Sequence, residues 1–367
     1  MEQKLFIPLK VSSKFPICNL PLRLDTYNNC THQCSYCFSN NRQIGKRNLN
    51  ASPNIHWLKN KFKKIYDDGN VNKDNFLEVL LKNRITLHCG SQSDPFQPQE
   101  LVYHNTRDIV DLCNQYNQKI LFSTKNDTYY DVPLTPNLHT FQLSVSSTSD
   151  FDFEVNAPLF KDRYDFYQRL IQEGFKVGIR IQPYIPSISD VEDIVTKFDE
   201  AEHFTVESIK LVPGAKINRE LIESMGLKED DFTNMGLLNL KPEIRYSLYI
   251  SIIKIFKKYD VSYSIADNDL HYLGNNKCCC GDNLIDNSTH FCNTELLHTI
   301  GKNYTLNDVF NLSKEYMDCK CSSLFNSDRR NGCVTFKDYY LDRFNRSSST
   351  FSPKFQYYDF MFQSRLF

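Results

Sequence analysis

The sequence predicts an α/β fold: a partial (β/α)6 TIM-like barrel with a cysteine-rich C-terminal extension. Three observations predict it. Short apolar runs alternate with amphipathic stretches six times between residues 20 and 213, which implies a parallel sheet with right-handed crossovers. The length of 367 residues suits one barrel plus an extension. Seven of the 13 cysteines follow Lys277, where the apolar periodicity has stopped. A doubly wound open sheet is the competing arrangement, and alternation alone does not separate the two.

The strands are expected at LPLRLDTY (20–27), ITLHCG (85–90), KILFSTK (119–125), HTFQLSVSS (139–147), KVGIRIQPY (176–184) and SIKLVP (208–213). Each is short, apolar or β-branched, and bounded by turn residues. Helices are expected at 100–116, 163–174 and 190–203. Gly174 supplies a C-cap signal and Asp190 an N-cap. After Pro213 a long helix (241–260) and a strand candidate, VSYSIAD, are followed by a loop-like segment rich in cysteine. The chain divides into an N-terminal segment (1–19), the barrel (20–215) and the extension with its cysteine-rich metal-binding region (216–367).

With 43 basic and 44 acidic residues the net charge is -1. No global charge draws the chain to nucleic acid. The N-terminal MEQKLFIPLKVSSKF lacks the apolar run of a signal peptide, and no stretch is apolar enough to span a membrane. A cytoplasmic protein with no membrane partner is expected, with its thiols reduced. Thirteen cysteines there argue for metal or catalysis rather than disulfides.

The stretch NNCTHQCSYC sets Cys30, Cys34 and Cys37 directly after the first strand, where barrel active sites gather. Structural zinc and most iron–sulfur clusters take four protein ligands. Three thiolates on a four-iron cluster leave one iron open to a small molecule that can receive an electron. A zinc or redox site with a remote fourth ligand is the alternative.

The CxxxCxxC form of CTHQCSYC, with Tyr36 before the last cysteine, resembles the radical S-adenosylmethionine (SAM) enzymes. Three further stretches look like one branch of them: GSQSDPFQPQE (90–100), FSTKND (122–127) and the segment 153–190, which carries Glu154-x-x-Ala157-Pro158 and Pro183-x-x-Pro186. That branch contains spore photoproduct lyase and its DNA-photolyase-like relatives. The likeness covers about residues 20–215. It implies a 4Fe-4S cluster on Cys30, Cys34 and Cys37, SAM on the open iron, and reductive cleavage of SAM to a 5′-deoxyadenosyl radical. An electron donor such as flavodoxin or ferredoxin is implied with it.

The resemblance also implies cofactor contacts. Gly90 and Ser91 lie where the SAM amino group is met, and small residues there allow close backbone approach. Lys125 reaches the SAM carboxylate as a point charge. Tyr36 is the aromatic of the cysteine motif. Ser144 and Ser146 share one strand face and can bond the ribose or carboxylate. Arg180, inside an apolar strand, needs a compensating carboxylate. Asp94 and Glu154 belong to the motifs and position backbone. In the lyase proper a cysteine three residues before the motif aspartate gives a hydrogen atom. Ser91 stands there in this chain, and a serine O–H bond is too strong for that task. Cys89 is the substitute donor, set against the plain reading of an inert buried thiol.

The function implied is a radical SAM enzyme, of lyase or transferase type, modifying a nucleic-acid base or nucleotide. Basic clusters at KNKFKK (59–64) and SDRRNG (327–332) lend local support. A radical SAM enzyme acting on a peptide or protein is the first alternative. A non-catalytic Fe–S or zinc interaction module is the second. The C-terminal cysteines are expected to hold a second Fe–S cluster or zinc. The expected ligands are Cys279 or Cys280 with Cys292, Cys321 and Cys333, and Cys319 in reserve.

Overall fold

The computed structural model describes residues 4–12, 20–39, 51–127, 129, 131–234, 236–267, 270–276, 278–281, 316, 318–320, 334–335 and 337–338. Seven parallel strands pair in chain order: β1 (Leu22–Leu24), β2 (Leu87–Cys89), β3 (Ile120–Thr124), β4 (His139–Ser144), β5 (Val177–Tyr184), β6 (His203–Ser208) and β7 (Tyr263–Ile265). Leu9–Val11 adds an antiparallel edge to β1. Among the described residues this makes an eight-stranded sheet whose outer strands do not pair with each other. The barrel is therefore partial, as expected, and not closed.

The two faces of the sheet differ, and that difference decides between the barrel and the open sheet. One face is apolar. Leu87, Cys89, Phe122, Phe141, Leu143, Ile179, Ile181, Phe204 and Val206 pack with the helices in one core. The helices that supply the other half include Phe76–Lys82, Asn105–Gln115, Phe160–Gln172, Val191–Lys197 and Pro242–Lys258. The opposite face carries the alternate residues His88, Ser123, Gln142, Arg180, Gln182, Thr205 and Glu207, which bond to one another rather than to a second helix layer. Period-2 alternation places these polar residues in a lumen.

The sixth strand is not where the sequence analysis puts it. The helix expected over 190–203 stops at Lys197, and β6 runs through HFTVES. Phe204 and Val206 alternate with Thr205 and Glu207, so the two-residue period wins over helical continuation. Lys210–Leu211, from the expected SIKLVP strand, instead pairs with Leu238–Leu240 in a small antiparallel sheet completed by Phe232–Asn234. The chain thus crosses residue 215 within continuous structure, and β7 extends the main sheet further. The helix expected over 100–116 breaks at His104. There the buried Glu100 carboxylate accepts the amides of Thr106 (3.0 Å) and Arg107 (2.8 Å), which starts a second helix.

The basic cluster at 59–64 is half ion-paired, while Lys59 and Lys63 are exposed. Lys61 and Lys64 both reach Glu78, at 2.7 and 2.8 Å. The second basic cluster, 327–332, lies outside the described residues. No described helix is long and apolar enough to cross a membrane.

The cysteine run does not hang from the barrel. Cys278–Gly281 threads into the lumen and floors it. Cys278 and Cys280 pack on Leu20 and Leu121, with Cys279 beside them. Three successive carbonyls are satisfied by lumen side chains: Cys278 by Ser264 (2.8 Å), Cys279 by Thr205 (2.6 Å) and Cys280 by Gln142 (3.2 Å). Gly281 ends the segment at φ +66, where a side chain would sit 2.5 Å from His203 Cβ.

Candidate cofactor site at the barrel rim

The loop after β1 carries the three cysteines. Cys34 is buried, and Cys30 and Cys37 are half-buried. Other segments grip this loop through its backbone. Ser35 N–H donates to Phe153 O (2.8 Å), and Asn156 N–H to His32 O (3.0 Å). Gln97, fully buried, accepts from Thr31 N–H (2.9 Å) and donates to Asn29 O (2.9 Å). A second apolar cluster backs the loop: Cys34, Tyr36 and Phe153 pack with Ile209, Leu211, Leu221, Met225 and Leu240. The small antiparallel sheet and its helix Asn218–Ser224 therefore wall the cysteine loop from one side.

The motif DPFQPQE works by its spacing of three. Asp94 Oδ2 accepts Lys125 N–H (2.7 Å) and lies 3.2 Å from His32 Nε2, while Oδ1 accepts the Thr124 hydroxyl (2.7 Å) and Phe96 N–H. Burial would raise the Asp94 carboxyl, but His32 and these donors hold it below the usual range. Gln97 fastens the cysteine loop, and Glu100 caps the next helix. One turn thus ties the ends of β1 and β3 together.

Glu154 is the second hub. Its Oε1 accepts from the Tyr36 hydroxyl and lies 2.8 Å from Lys125 Nζ; its Oε2 accepts from Arg163. Burial alone would raise this carboxyl. Lys125 and Arg163 reverse that and bring it down to about 2. Lys125 Nζ also lies over the Tyr36 ring, 5.7 Å from its centre. The Lys125–Glu154 contact is an ion pair without an aligned hydrogen bond, so ammonium N–H donors remain for a ligand. The buried hydroxyls of Ser91 and Ser146 likewise have no hydrogen-bond partner. Such groups are costly unless a ligand meets them.

The donor set fits an iron–sulfur cluster in its chemistry. Three thiols share one short loop, and burial pushes Cys30 and Cys34 up to about 12, so both are protonated until a metal displaces the protons. Among the described residues no three His, Cys, Asp or Glu side chains already stand at metal-ligating spacing; a cluster would draw the loop's thiols together.

Other expected site residues fall as follows. Gly90 has φ +103, and a Cβ there would sit 1.9 Å from Ser123 O, so the neighbouring strand already requires glycine. Ser144 offers its carbonyl to Arg163 (3.2 Å). Arg180 points into the lumen, toward Gln182 and Ser123. Cys89 carries two readings, a substitute hydrogen donor and an inert buried thiol. It is 0% exposed, packs in the core between sheet and helices, and faces away from the lumen that its neighbour His88 lines. Of the C-terminal cysteines, Cys279 and Cys280 stand at the lumen floor with sulfurs 3.7 Å apart. Cys319 is elsewhere, packed in the main core with its thiol toward Lys73 O (3.5 Å). Cys292, Cys321 and Cys333 lie outside the described residues. The sequence analysis missed His32, Gln97 and Arg163 as supports. The motif spacing offered a signal for Gln97, which stands three residues after Asp94.

No family model and no curated protein matches the sequence. Solved structures do match. Spore photoproduct lyase complexed with dinucleoside spore photoproduct aligns with a TM-score of 0.51 at 14% identity, covering 71% of this chain and 80% of that one. A mutant of that lyase with bound AdoMet and dinucleoside spore photoproduct gives 0.49 at 13%, over 67% and 76%. Streptococcus suis SuiB bound to its precursor peptide SuiA gives 0.44 at 13%, over 71% and 52%. The first likeness establishes a shared fold: the partial barrel of this chain is that of spore photoproduct lyase.

Proposed function

We propose that this chain is a radical SAM enzyme whose substrate is a nucleic-acid base or nucleotide. One observation carries the reading: a three-thiol loop at the barrel rim stands with three buried polar groups without an aligned hydrogen-bond partner, the Ser91 and Ser146 hydroxyls and the Lys125 ammonium, the last ion-paired with Glu154. A scaffold protein would need the thiols only. Cys30, Cys34 and Cys37 would hold the 4Fe-4S cluster, and the missing fourth thiolate leaves a place for the amino and carboxylate groups of SAM. When bound, the cluster supplies the electron that splits SAM into methionine and a 5′-deoxyadenosyl radical.

The chain's own residues bind and orient. Lys125 offers unused N–H donors to a carboxylate, held in place by Glu154 and Tyr36. Asp94 fixes the turn that leads into Lys125. The Ser91 and Ser146 hydroxyls offer donors to the amino-acid or ribose groups. The apolar wall of Ile209, Leu211 and Met225 shields the loop from water. The fold shared with a lyase solved in complex with dinucleoside spore photoproduct supports the nucleotide class. Thymine photodimer repair is not part of the proposal, because Ser91 replaces the donor cysteine and Cys89 faces the core.

Reconstituted, reduced protein should release 5′-deoxyadenosine from SAM. The variant Cys30→Ala/Cys34→Ala/Cys37→Ala should release none, and normal release from it would end the reading. Iron and zinc analysis of anaerobically purified protein tests the C-terminal cysteines as well: about eight irons per chain mark a second cluster, and about four irons with one zinc mark a structural site. Mass comparison of host nucleic acids and proteins then separates nucleotide from peptide substrates.

A further inference from the structure

We propose that the lumen carries an oxyanion subsite for the substrate, built on Arg180 with Ser123 and His88. The inference rests on the lumen being the reaction chamber of the function proposed above. Its basis is an unbalanced charge. Other cations on this face or its rim have an acid beside them: Arg23 has Asp25 (2.9 Å), Lys125 and Arg163 have Glu154, and Lys210 and Arg245 have Asp267 (3.1 and 3.6 Å). Arg180 has none among the described residues. Its Nε donates to the Gln182 amide oxygen and its Nη1 to Ser123 Oγ (3.3 Å), both neutral. A half-buried guanidinium bonded only to neutral acceptors is stabilised by an anion. Its planar fork suits a carboxylate or a phosphate.

The surroundings are fixed in advance. Gln142 gives its amide N–H to Cys280 O (3.2 Å), so its Oε1 turns to Ser123 Oγ (3.2 Å) and accepts the hydrogen bond that hydroxyl donates. Ser123 Oγ then accepts from both Arg180 and His88 Nε2 (2.8 Å). Ser123 therefore holds the Arg180 fork in place.

Position separates this subsite from the SAM end groups. Ser123 precedes Lys125, the residue just past the end of β3, by two positions, a depth of about 7 Å at the strand rise. The charged ends of SAM belong with Lys125 and the cysteine loop. Its ribose and adenine are neutral, and its sulfonium is positive, so none of them balances Arg180. The floor at Cys278–Gly281 closes the far end. His88, Ser144, Arg180 and Gln182 remain partly exposed above it. A substrate enters from the rim, places its anionic group on Arg180 and leaves its reacting carbon near the cofactor.

The test uses reconstituted, unreduced holoprotein with SAM present, titrated calorimetrically with inorganic phosphate and, separately, with acetate. At least one anion should bind. Arg180→Gln should weaken it about tenfold or more, as removal of a charge-assisted bond does. It should weaken SAM binding far less. Tighter phosphate binding assigns a phosphorylated substrate; tighter acetate binding assigns a carboxylate. Ser123→Ala, which leaves the guanidinium in place, should weaken the anion about threefold; this variant decides if Arg180→Gln does not fold. Absence of binding by both anions overturns the subsite. So does an Arg180→Gln protein that loses SAM as severely as it loses the anion, which would assign Arg180 to the SAM carboxylate. Anion binding without any SAM binding keeps the subsite and removes the radical SAM reading.

Discussion

Replacing Glu154 by Gln removes one negative charge from between Lys125 and Arg163 while preserving shape. The carboxyl, ordinarily near 4.5, is held at about 2 in the folded chain. That difference corresponds to about 3 kcal/mol of stability at neutral pH. Because the folded value is the lower one, this stability is fully present above pH 4.5 and is lost as pH falls toward 2. The variant leaves two buried cations without their shared acid, a change that costs on the order of 3 to 5 kcal/mol when both partners are fully desolvated. Lys125 is 13% and Arg163 7% exposed at the side chain, so a loss of about 3 kcal/mol is expected. Urea unfolding of the metal-free chain, followed by circular dichroism, measures it. At about pH 3 the gap between wild type and variant should shrink by roughly half. The lowered Asp94 carboxyl acts equally in both proteins and cancels. A loss under about 1 kcal/mol at pH 7, or a gap that ignores pH, would falsify the hub assignment.

Three other changes test the rim. Gly90→Ala forces a Cβ against Ser123 O and strains φ; a cost of about 3 kcal/mol or more is expected, and an unchanged melting temperature would refute the close approach. Lys125→Ala should weaken SAM binding about tenfold and also cost about 1 kcal/mol, since Glu154 loses a partner; unchanged affinity moves Lys125 out of the cofactor site. Cys89→Ala should keep both SAM cleavage and product formation, and loss of product alone would restore it as a hydrogen donor.

The cysteine loop and five of the barrel strands were legible because each sits in a short, bounded pattern. LPLRL, ITLHC, ILFST, FQLSV and VGIRIQ all alternate or run apolar between turn residues. The sixth strand was not, because the amphipathic run of its preceding helix continues into His203 and masks the start of HFTVES. The more apolar IKLVP then drew the assignment downstream. The polar lumen was visible in part. Ser144 and Ser146 were read as one face, but the same alternation runs through Gln142, Arg180, Gln182, Thr205 and Glu207. What sequence could not give was the partner of each polar residue. Arg163, on a helix start, meets Glu154 nine residues earlier only because the intervening loop folds back over the rim. Nor does any local pattern say that a polar cysteine run enters a barrel, since its partners Leu20, Leu121 and Gln142 lie far away in the chain.

That floor has a consequence for synthesis. A ribosome delivers Leu20 and Leu121 long before it delivers Cys278. Until then the polar groups of Gln142, Thr205 and Ser264 lack the carbonyls they will bond, and water must serve them. The last piece of the barrel therefore arrives after most of the chain has left the exit tunnel, and a contact of such long sequence separation forms late and slowly. Nascent chains arrested before residue 278 should hold a hydrated, protease-sensitive barrel that becomes resistant only when this tetrapeptide seats.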